Sequence, residues 1–249
     1  MTFLDAPPIG FAHRGGAAAG DENTTAAFAR AVELGYRYIE TDTHATADGV
    51  AVVFHDDRLD RLLGRPGTIA DLRFADLAEL RVGGAGTVPR LDDILAAWPD
   101  IRFNIDVKTD DAVEPTLDSI RRAGAADRVL LASFSDRRLA RLRRAAGPTI
   151  ASSLGMREVA TLWSGVMGRG RPVPKGVVAV QVPPRYGRLR LVTPRFIARA
   201  HRLGLQVHVW TIDDPPQMRY LLDLGVDGIM TDRIEVLREV YLERGHWAD

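Results

Sequence analysis

Residues 101–109 read IRFNIDVKT and residues 37–44 read RYIETDTH. Both stretches alternate. In the first, Phe103, Ile105 and Val107 share one face, and Asn104, Asp106 and Lys108 share the other. In the second, Ile39 alternates with Tyr38, Glu40, Asp42 and His44. A period of two is the signature of a strand, so Glu40, Asp42 and Asp106 fall on one side of a sheet. Three carboxylates turned inward repel one another in a medium of low dielectric, and Lys108 balances only part of that charge. A hard divalent cation bound through carboxylate oxygens answers the problem: Mg²⁺ or Ca²⁺, with Mn²⁺ also admissible. The plainer alternative is a set of solvated charges at strand ends.

The flanking sequence extends this pattern in both directions. Residues 9–13, IGFAH, form a first strand, followed by a Gly/Ala-rich loop over 14–20. Asn23 or Thr24 caps a helix running to about Leu34, and Gly35 stops it. After the strand at 37–44, the pair Asp48-Gly49 between extended runs predicts a hairpin, with Ala51–Phe54 as an antiparallel return arm. A turn centred on Asp48-Gly49 sets Asp42 opposite His55. Residues 57–90 carry Arg-rich sequence broken by GRPG and GGAG and read as a small insertion. From 91 onward helices and strands alternate to the end. Strands near 10, 39, 104, 130, 151, 179, 208 and 228, separated mainly by helices, predict a (β/α)8 TIM barrel in a single domain spanning 1–249. A doubly wound open sheet is the rival, disfavoured because no GxGxxG follows the first strand. The polar residues His13, Glu40, Asp42, Asp106, Lys108 and Trp210 lie at the C-terminal ends of strands, where barrel enzymes carry their sites.

Composition narrows the function. The chain has 249 residues, 46% of them hydrophobic, enough for a sizeable core. Its 33 basic and 33 acidic residues cancel, so no global field draws it to nucleic acid or an anionic membrane. It has no cysteine, which removes disulfides, thiolate zinc sites and cysteine nucleophiles. No signal peptide and no run of ~18 apolar residues is visible, so the expectation is a cytoplasmic protein without stable membrane insertion. The oligomeric state is left open.

Six motifs occur in order: His13-Arg14-Gly15, Glu22-Asn23-Thr24, Glu40-Thr41-Asp42, the Asp48-Gly49 turn running to His55-Asp56, Asn104-Ile105-Asp106-Val107-Lys108, and Val209-Trp210-Thr211. Together, over nearly the whole chain, they closely resemble the glycerophosphodiester phosphodiesterase family. The resemblance implies a barrel that hydrolyses small-molecule glycerophosphodiesters to an alcohol and glycerol 3-phosphate with a divalent metal. It implies His13 and His55 as catalytic histidines and Glu40, Asp42 and Asp106 as metal ligands. Arg14 and Lys108 match phosphate-binding positions, Glu22 and Asn23 a substrate-binding loop, and Trp210 a wall for the glycerol carbons. Two positions depart from the pattern. Asp106 stands where glutamate is usual, and Asp21 where proline is usual.

The residues suit this chemistry in their own right. Phosphodiester hydrolysis needs positive charge on the non-bridging oxygens, a base for the nucleophile and an acid for the leaving alkoxide. Arg14, Lys108 and a metal meet the first need, and the histidines the other two. Water can attack directly, or a neighbouring glycerol hydroxyl can attack first to give a cyclic phosphate. The enzymatic rival is a lysophospholipase D or sphingomyelinase D-like lipid phosphodiesterase, which an apolar barrel mouth would favour. The loops 57–90 and 165–175 are rich in Arg and Gly with few aromatics, which favours a soluble substrate. A non-catalytic phosphodiester-binding barrel is the third reading. His44, His201 and His246 read as structural or surface residues. Arg185, Tyr186, Arg188 and Arg190 fall in a loop that overhangs the mouth, where arginine could grip the substrate's alcohol.

Overall fold

The computed structural model describes residues 3–84, 86–168 and 172–247. Eight parallel strands close into a barrel: β1 (Ile9–His13), β2 (Tyr38–Ala45), β4 (Arg102–Val107), β5 (Val129–Ala132), β6 (Ala151–Ser153), β7 (Val177–Val182), β10 (Gln206–Val209) and β11 (Gly228–Thr231). β1 pairs with both β2 and β11, which closes the ring. Outside the ring, β3 (Ala51–Val53) runs antiparallel to β2, and β8 (Arg185–Tyr186) pairs with β9 (Leu189–Arg190) as a small hairpin.

Helices fill the connections. They are α1 (Thr25–Glu33), α2 (Asp60–Leu63), α3 (Phe74–Leu77), α4 (Leu91–Ala97), α5 (Val113–Arg122), α6 (Asp136–Ala146), α7 (Met156–Ser164), α8 (Pro194–Arg202), α9 (Pro215–Asp223) and α10 (Ile234–Glu243). Local chemistry sets their starts. Thr24, Ser135, Thr193 and Asp214 each accept a hydrogen bond from a backbone N–H of the first turn. Thr24, not Asn23, is therefore the cap of α1.

The alternation read from the sequence sorts the core into two layers. Ile39, Phe103, Ile105 and Val107 face outward into the helix layer. Phe11, Tyr38, Leu130, Ala179 and Met230 fill the barrel interior with Phe3. His208 is wholly buried there beside Phe11, its ring paired to Gln206 and Gln181. A Cβ on Gly228 would lie 2.8 Å from His208 and 3.0 Å from Phe11, so the interior has no room for a side chain there.

The insertion has a core of its own. Leu59, Ile69, Leu77, Val82 and Val88 pack on Val52 and Phe54 of the return arm. The arm is antiparallel, as its sequence predicts, but its register differs by one residue. Thr43 pairs with Val53, and the Phe54 N–H donates to the Asp42 carbonyl. Asp42 thus faces Phe54 rather than His55. The turn takes in Ala47 as well as Asp48 and Gly49, because the Thr46 hydroxyl accepts from Val50 N–H and donates to Asp48. Three-residue hairpin loops ending in a left-handed glycine are a common alternative to the two-residue turn, and Gly49 has φ 76°.

Candidate active site

Barrel register builds the site in rungs. His13 pairs with Glu40, Glu40 with Asn104, and Asp42 with Asp106. Adjacent strands lie ~4.8 Å apart, so neighbours on one rung meet when they point the same way. All of these side chains line one cavity of about 240 Å³ at the C-terminal mouth, together with Arg14, His55, Lys108 and Trp210.

Lys108 sits between the paired carboxylates. Its Nζ donates to Asp42 Oδ1 and to Asp106 Oδ2, each at 2.7 Å. Burial pushes the Asp106 carboxyl up, against Lys108. Burial would raise Asp42 as well, but Lys108, Arg14 and His55 hold it below the usual range. Glu40 is driven upward by burial and then by the Asp42 charge. Lys108 itself is raised despite its burial, because Asp42 and Asp106 favour its charged form.

Each histidine turns one ring nitrogen to a carboxylate. His13 Nδ1 lies 2.5 Å from Asp232 Oδ1, and its Nε2 lies 3.7 Å from Glu40. His55 Nδ1 lies 2.7 Å from Asp56 Oδ1. An ionised carboxylate only accepts, so Nδ1 carries the proton in both rings and Nε2 is left to the cavity. Burial opposes protonation of His13, but Glu40 and Asp232 outweigh it and raise its pKa.

Glu22 and Asn23 lie behind the cavity wall. Glu22 takes hydrogen bonds from Arg14 and from Arg61 of α2. Those arginines hold its carboxyl low although burial opposes this. Arg61 also donates to Asp56, whose pKa drops to about 2, chiefly through that bond. Asn23 accepts from Thr41 and donates to Asp42 Oδ2. Arg14 and Asn23 both have positive φ, 53° and 59°, and the Asn23 N–H donates to the Arg14 carbonyl. Two left-handed non-glycine residues locked to each other mark a segment whose strain the surroundings sustain. A Cβ on Gly15 would lie 2.6 Å from Phe28, which fixes glycine between them and α1.

Three residues of this arrangement escape sequence reading: Asp232, Asp56 as the partner of His55, and Arg61. Asp232 lies 219 positions from His13. Its only sequence signal is a carboxylate just past the last strand, at the mouth. Arg61 sits in a stretch whose arginines look like solvated surface.

The carboxylate set suits a hard divalent cation. Its donors are oxygens, acidic groups outnumber the cations among them, and the buried Asp106 Oδ1 has no hydrogen-bond partner among the described residues. Among the described residues, the acidic or histidine ligand atoms that lie within 4.8 Å of one another belong to Glu22, His55 and Asp56. Arg14 and Arg61 engage that second set, as Lys108 and Arg14 engage the first.

The opposite wall of the cavity is apolar: Phe134, Leu154, Met156, Tyr186, Leu191 and Trp210. These residues come from segments that follow strands, from the start of α7 and from the β8–β9 hairpin with the residue after it. Residues 165–168 follow α7 and residues 172–175 precede β7, whereas the cavity lies at the C-terminal ends of the strands; residues 169–171 are outside the described residues. Tyr186 reaches the cavity, whereas Arg185, Arg188 and Arg190 are not among its lining residues. His44 is buried, with Nε2 3.3 Å from the His55 carbonyl, and His201 pairs with Asp227 at the far end of the barrel. Among the described residues, no helix is long and apolar enough to cross a membrane.

Comparison with known proteins gives a consistent result. The family model of the glycerophosphoryl diester phosphodiesterase family matches residues 13–236. A probable glycerophosphodiester phosphodiesterase 2 of Mycobacterium tuberculosis is 42% identical over 229 residues, covering 90% of this chain and 87% of the relative. The crystal structure of a glycerophosphodiester phosphodiesterase from Agrobacterium tumefaciens superposes with a TM-score of 0.78 at 25% identity, covering 94% of this chain and 99% of that one. A phosphodiesterase of Oleispira antarctica, solved with the product sn-glycerol-3-phosphate, has the same fold, with a TM-score of 0.81 at 21% identity over 94% of this chain and 96% of that one.

Proposed function

The chain belongs to the glycerophosphoryl diester phosphodiesterase family, and from that membership we propose that it hydrolyses glycerophosphodiesters to an alcohol and glycerol 3-phosphate, as a single catalytic domain. One observation carries the mechanism. Two histidines, each with Nδ1 on a carboxylate, line a cavity floored by buried carboxylates and two cations.

In this reading Arg14 and Lys108 bind the phosphate's non-bridging oxygens. Lys108 spends two of its three N–H groups on Asp42 and Asp106, and the third is available to the phosphate. Trp210 supports the glycerol carbons, while Glu22 and Asn23 hold Arg14 and Asp42 in place. Glu40, Asp42 and Asp106 hold the divalent metal, Mg²⁺ or Ca²⁺ with Mn²⁺ also suited, and bound there it supplies further positive charge for the phosphate.

His13 and His55 divide the proton transfers. One takes the proton of the attacking hydroxyl at its Nε2, and the other gives a proton to the leaving alkoxide. Asp232 and Asp56 fix the tautomers and stabilise whichever ring is charged. The same pair serves attack by water or by the neighbouring glycerol hydroxyl.

Release of glycerol 3-phosphate from glycerophosphocholine and glycerophosphoethanolamine tests the reading. It is run with Mg²⁺, Ca²⁺, Mn²⁺ or EDTA, with His13→Ala beside the wild type. Metal-dependent release that disappears in the variant is expected. A folded wild type that releases nothing with any metal overturns the proposal.

A further inference from the structure

Asn104 is a buried polar side chain for which the chemistry above has no use. It lies on β4, in register with Glu40 on one side and Leu130 on the other. It is 2% exposed and lines the cavity on the same strand face as Asp106. Its buried Oδ1 has no hydrogen-bond partner among the described residues. Other carboxamides around the cavity are bonded: Asn23 bridges Thr41 and Asp42, and Gln181 pairs with His208. A buried acceptor without a partner costs free energy that leucine or alanine at the same place would not. Such a group calls for an explanation, and a cavity wall supplies one: a ligand that donates to it.

The chemistry of the acceptor and its depth narrow that ligand. Ionised phosphate oxygens only accept, so they cannot satisfy Oδ1. A divalent cation takes the charged oxygens of Glu40, Asp42 and Asp106 before a neutral amide. A hydroxyl remains. Strand rise sets Asn104 about 6.6 Å deeper than Asp106, and Lys108 lies beyond Asp106 on the side of the mouth. The phosphate held by Arg14 and Lys108 therefore belongs to a higher rung. Beside and beneath Asn104 the barrel is filled by Phe11, Tyr38, Leu130 and Met230, so this end of the cavity is closed. A closed end suits the constant part of the substrate, and the open mouth suits the alcohol that varies. The constant part is glycerol, and its terminal hydroxyl is the one farthest from phosphorus. The soft χ2 torsion of asparagine lets the amide turn its oxygen to that hydroxyl.

We propose that Asn104 accepts a hydrogen bond from the terminal hydroxyl of the glycerol moiety, and so makes the enzyme selective for glycerol esters among phosphodiesters. The proposal rests on the phosphodiesterase reading of the same site. Asn104 binds and orients the substrate, while proton transfer stays with the histidines.

The test measures kcat/KM for choline release, with Mg²⁺, from glycerophosphocholine and two analogues. The choline phosphodiester of 1,2-propanediol lacks the terminal hydroxyl, and that of 1,3-propanediol lacks the middle one. The wild type is expected to prefer glycerophosphocholine over the first analogue by about tenfold or more. In Asn104→Leu, which nearly keeps the volume, and in Asn104→Ala, that preference is expected to fall toward one. Preference over the second analogue is expected to persist. Thermal midpoint and the metal concentration for half-maximal activity are expected to hold, since no bond within the protein is lost. A wild type that cleaves glycerophosphocholine and the first analogue equally well, or variants that keep the full preference, overturns this proposal and leaves the phosphodiesterase reading standing. Variants that fail to fold, or that need far more metal, show that the amide serves the fold or the metal ligands and overturn it too. A wild type that cleaves none of the three removes both readings together.

Discussion

His13 on the first barrel strand and Asp232 just past the last are joined by a 2.5 Å contact between Nδ1 and Oδ1. The contact exists because β1 and β11 are neighbours in the closed ring, with Ala12 in register with Thr231. Barrel closure therefore orients the histidine. Asp232→Asn is expected to lower kcat by roughly 10²-fold or more with little change in KM, because an amide no longer favours the Nδ1–H tautomer or the charged ring. In the His13→Ala background the same substitution is expected to cost little more. Steady-state kinetics of the two single variants and the double variant measure this. Equal and independent losses would show that Asp232 does not act through His13.

Arg61 ties the insertion to the site by bonding both Glu22 and Asp56. Arg61→Ala is expected to lower kcat by about tenfold while leaving thermal stability nearly unchanged, since half-exposed ion pairs contribute ~0–1 kcal/mol to folding. Arg61→Lys keeps the charge but cannot span two carboxylates with a planar fork, so it recovers only part of the rate. Unfolding curves recorded beside kcat separate the two roles. A large stability loss with an unchanged rate per folded molecule would make Arg61 purely structural.

Asp106→Ala removes the carboxylate whose buried Oδ1 lacks a hydrogen-bond partner among the described residues. The metal concentration for half-maximal activity is expected to rise by about tenfold or more. Metal binding followed calorimetrically gives the same shift without relying on turnover. Unchanged affinity would take Asp106 out of the metal set.

His208 supplies a pH dependence of stability. Burial lowers its pKa to about 3, so the folded state keeps it neutral while the unfolded chain protonates it near the ordinary value of 6.5. Below that pH the unfolded state binds the extra proton, and this residue's stabilising contribution falls by about 1.36 kcal/mol per pH unit down to the folded pKa. Above pH 6.5 it contributes no slope. Denaturant midpoints of wild type and His208→Gln between pH 7 and pH 5 test this. The variant is expected to be less pH-dependent by about one proton, and parallel curves would contradict it.

Much of this architecture is legible in strand alternation. Phe103, Ile105 and Val107 pack outward while Asn104, Asp106 and Lys108 line the cavity, as a period of two requires. The hairpin is legible in Asp48-Gly49, but its register is not, because Thr46 hydroxyl bonds lengthen the loop by one residue. Contacts between distant segments leave no local trace. Asp232 reaches His13 only through barrel closure, and Arg61 reaches Glu22 only because the insertion folds back on its own core. The apolar wall was also out of sight. Phe134 in the segment after β5, Met156 at the start of α7 and Tyr186 on β8 are isolated apolar residues in the sequence and become one surface only when β5, β6 and β7 stand side by side.

The central claim is that His13 and His55 divide acid and base between them. The most direct measurement compares His13→Ala and His55→Ala on glycerophosphocholine and on a substrate with a p-nitrophenolate leaving group, which needs no protonation to depart. The account predicts that both variants lose choline release by ~10²-fold or more, and that only one of them regains a substantial rate on the activated substrate. Wild-type rates in either variant on glycerophosphocholine, or equal recovery of both on the activated one, would contradict it.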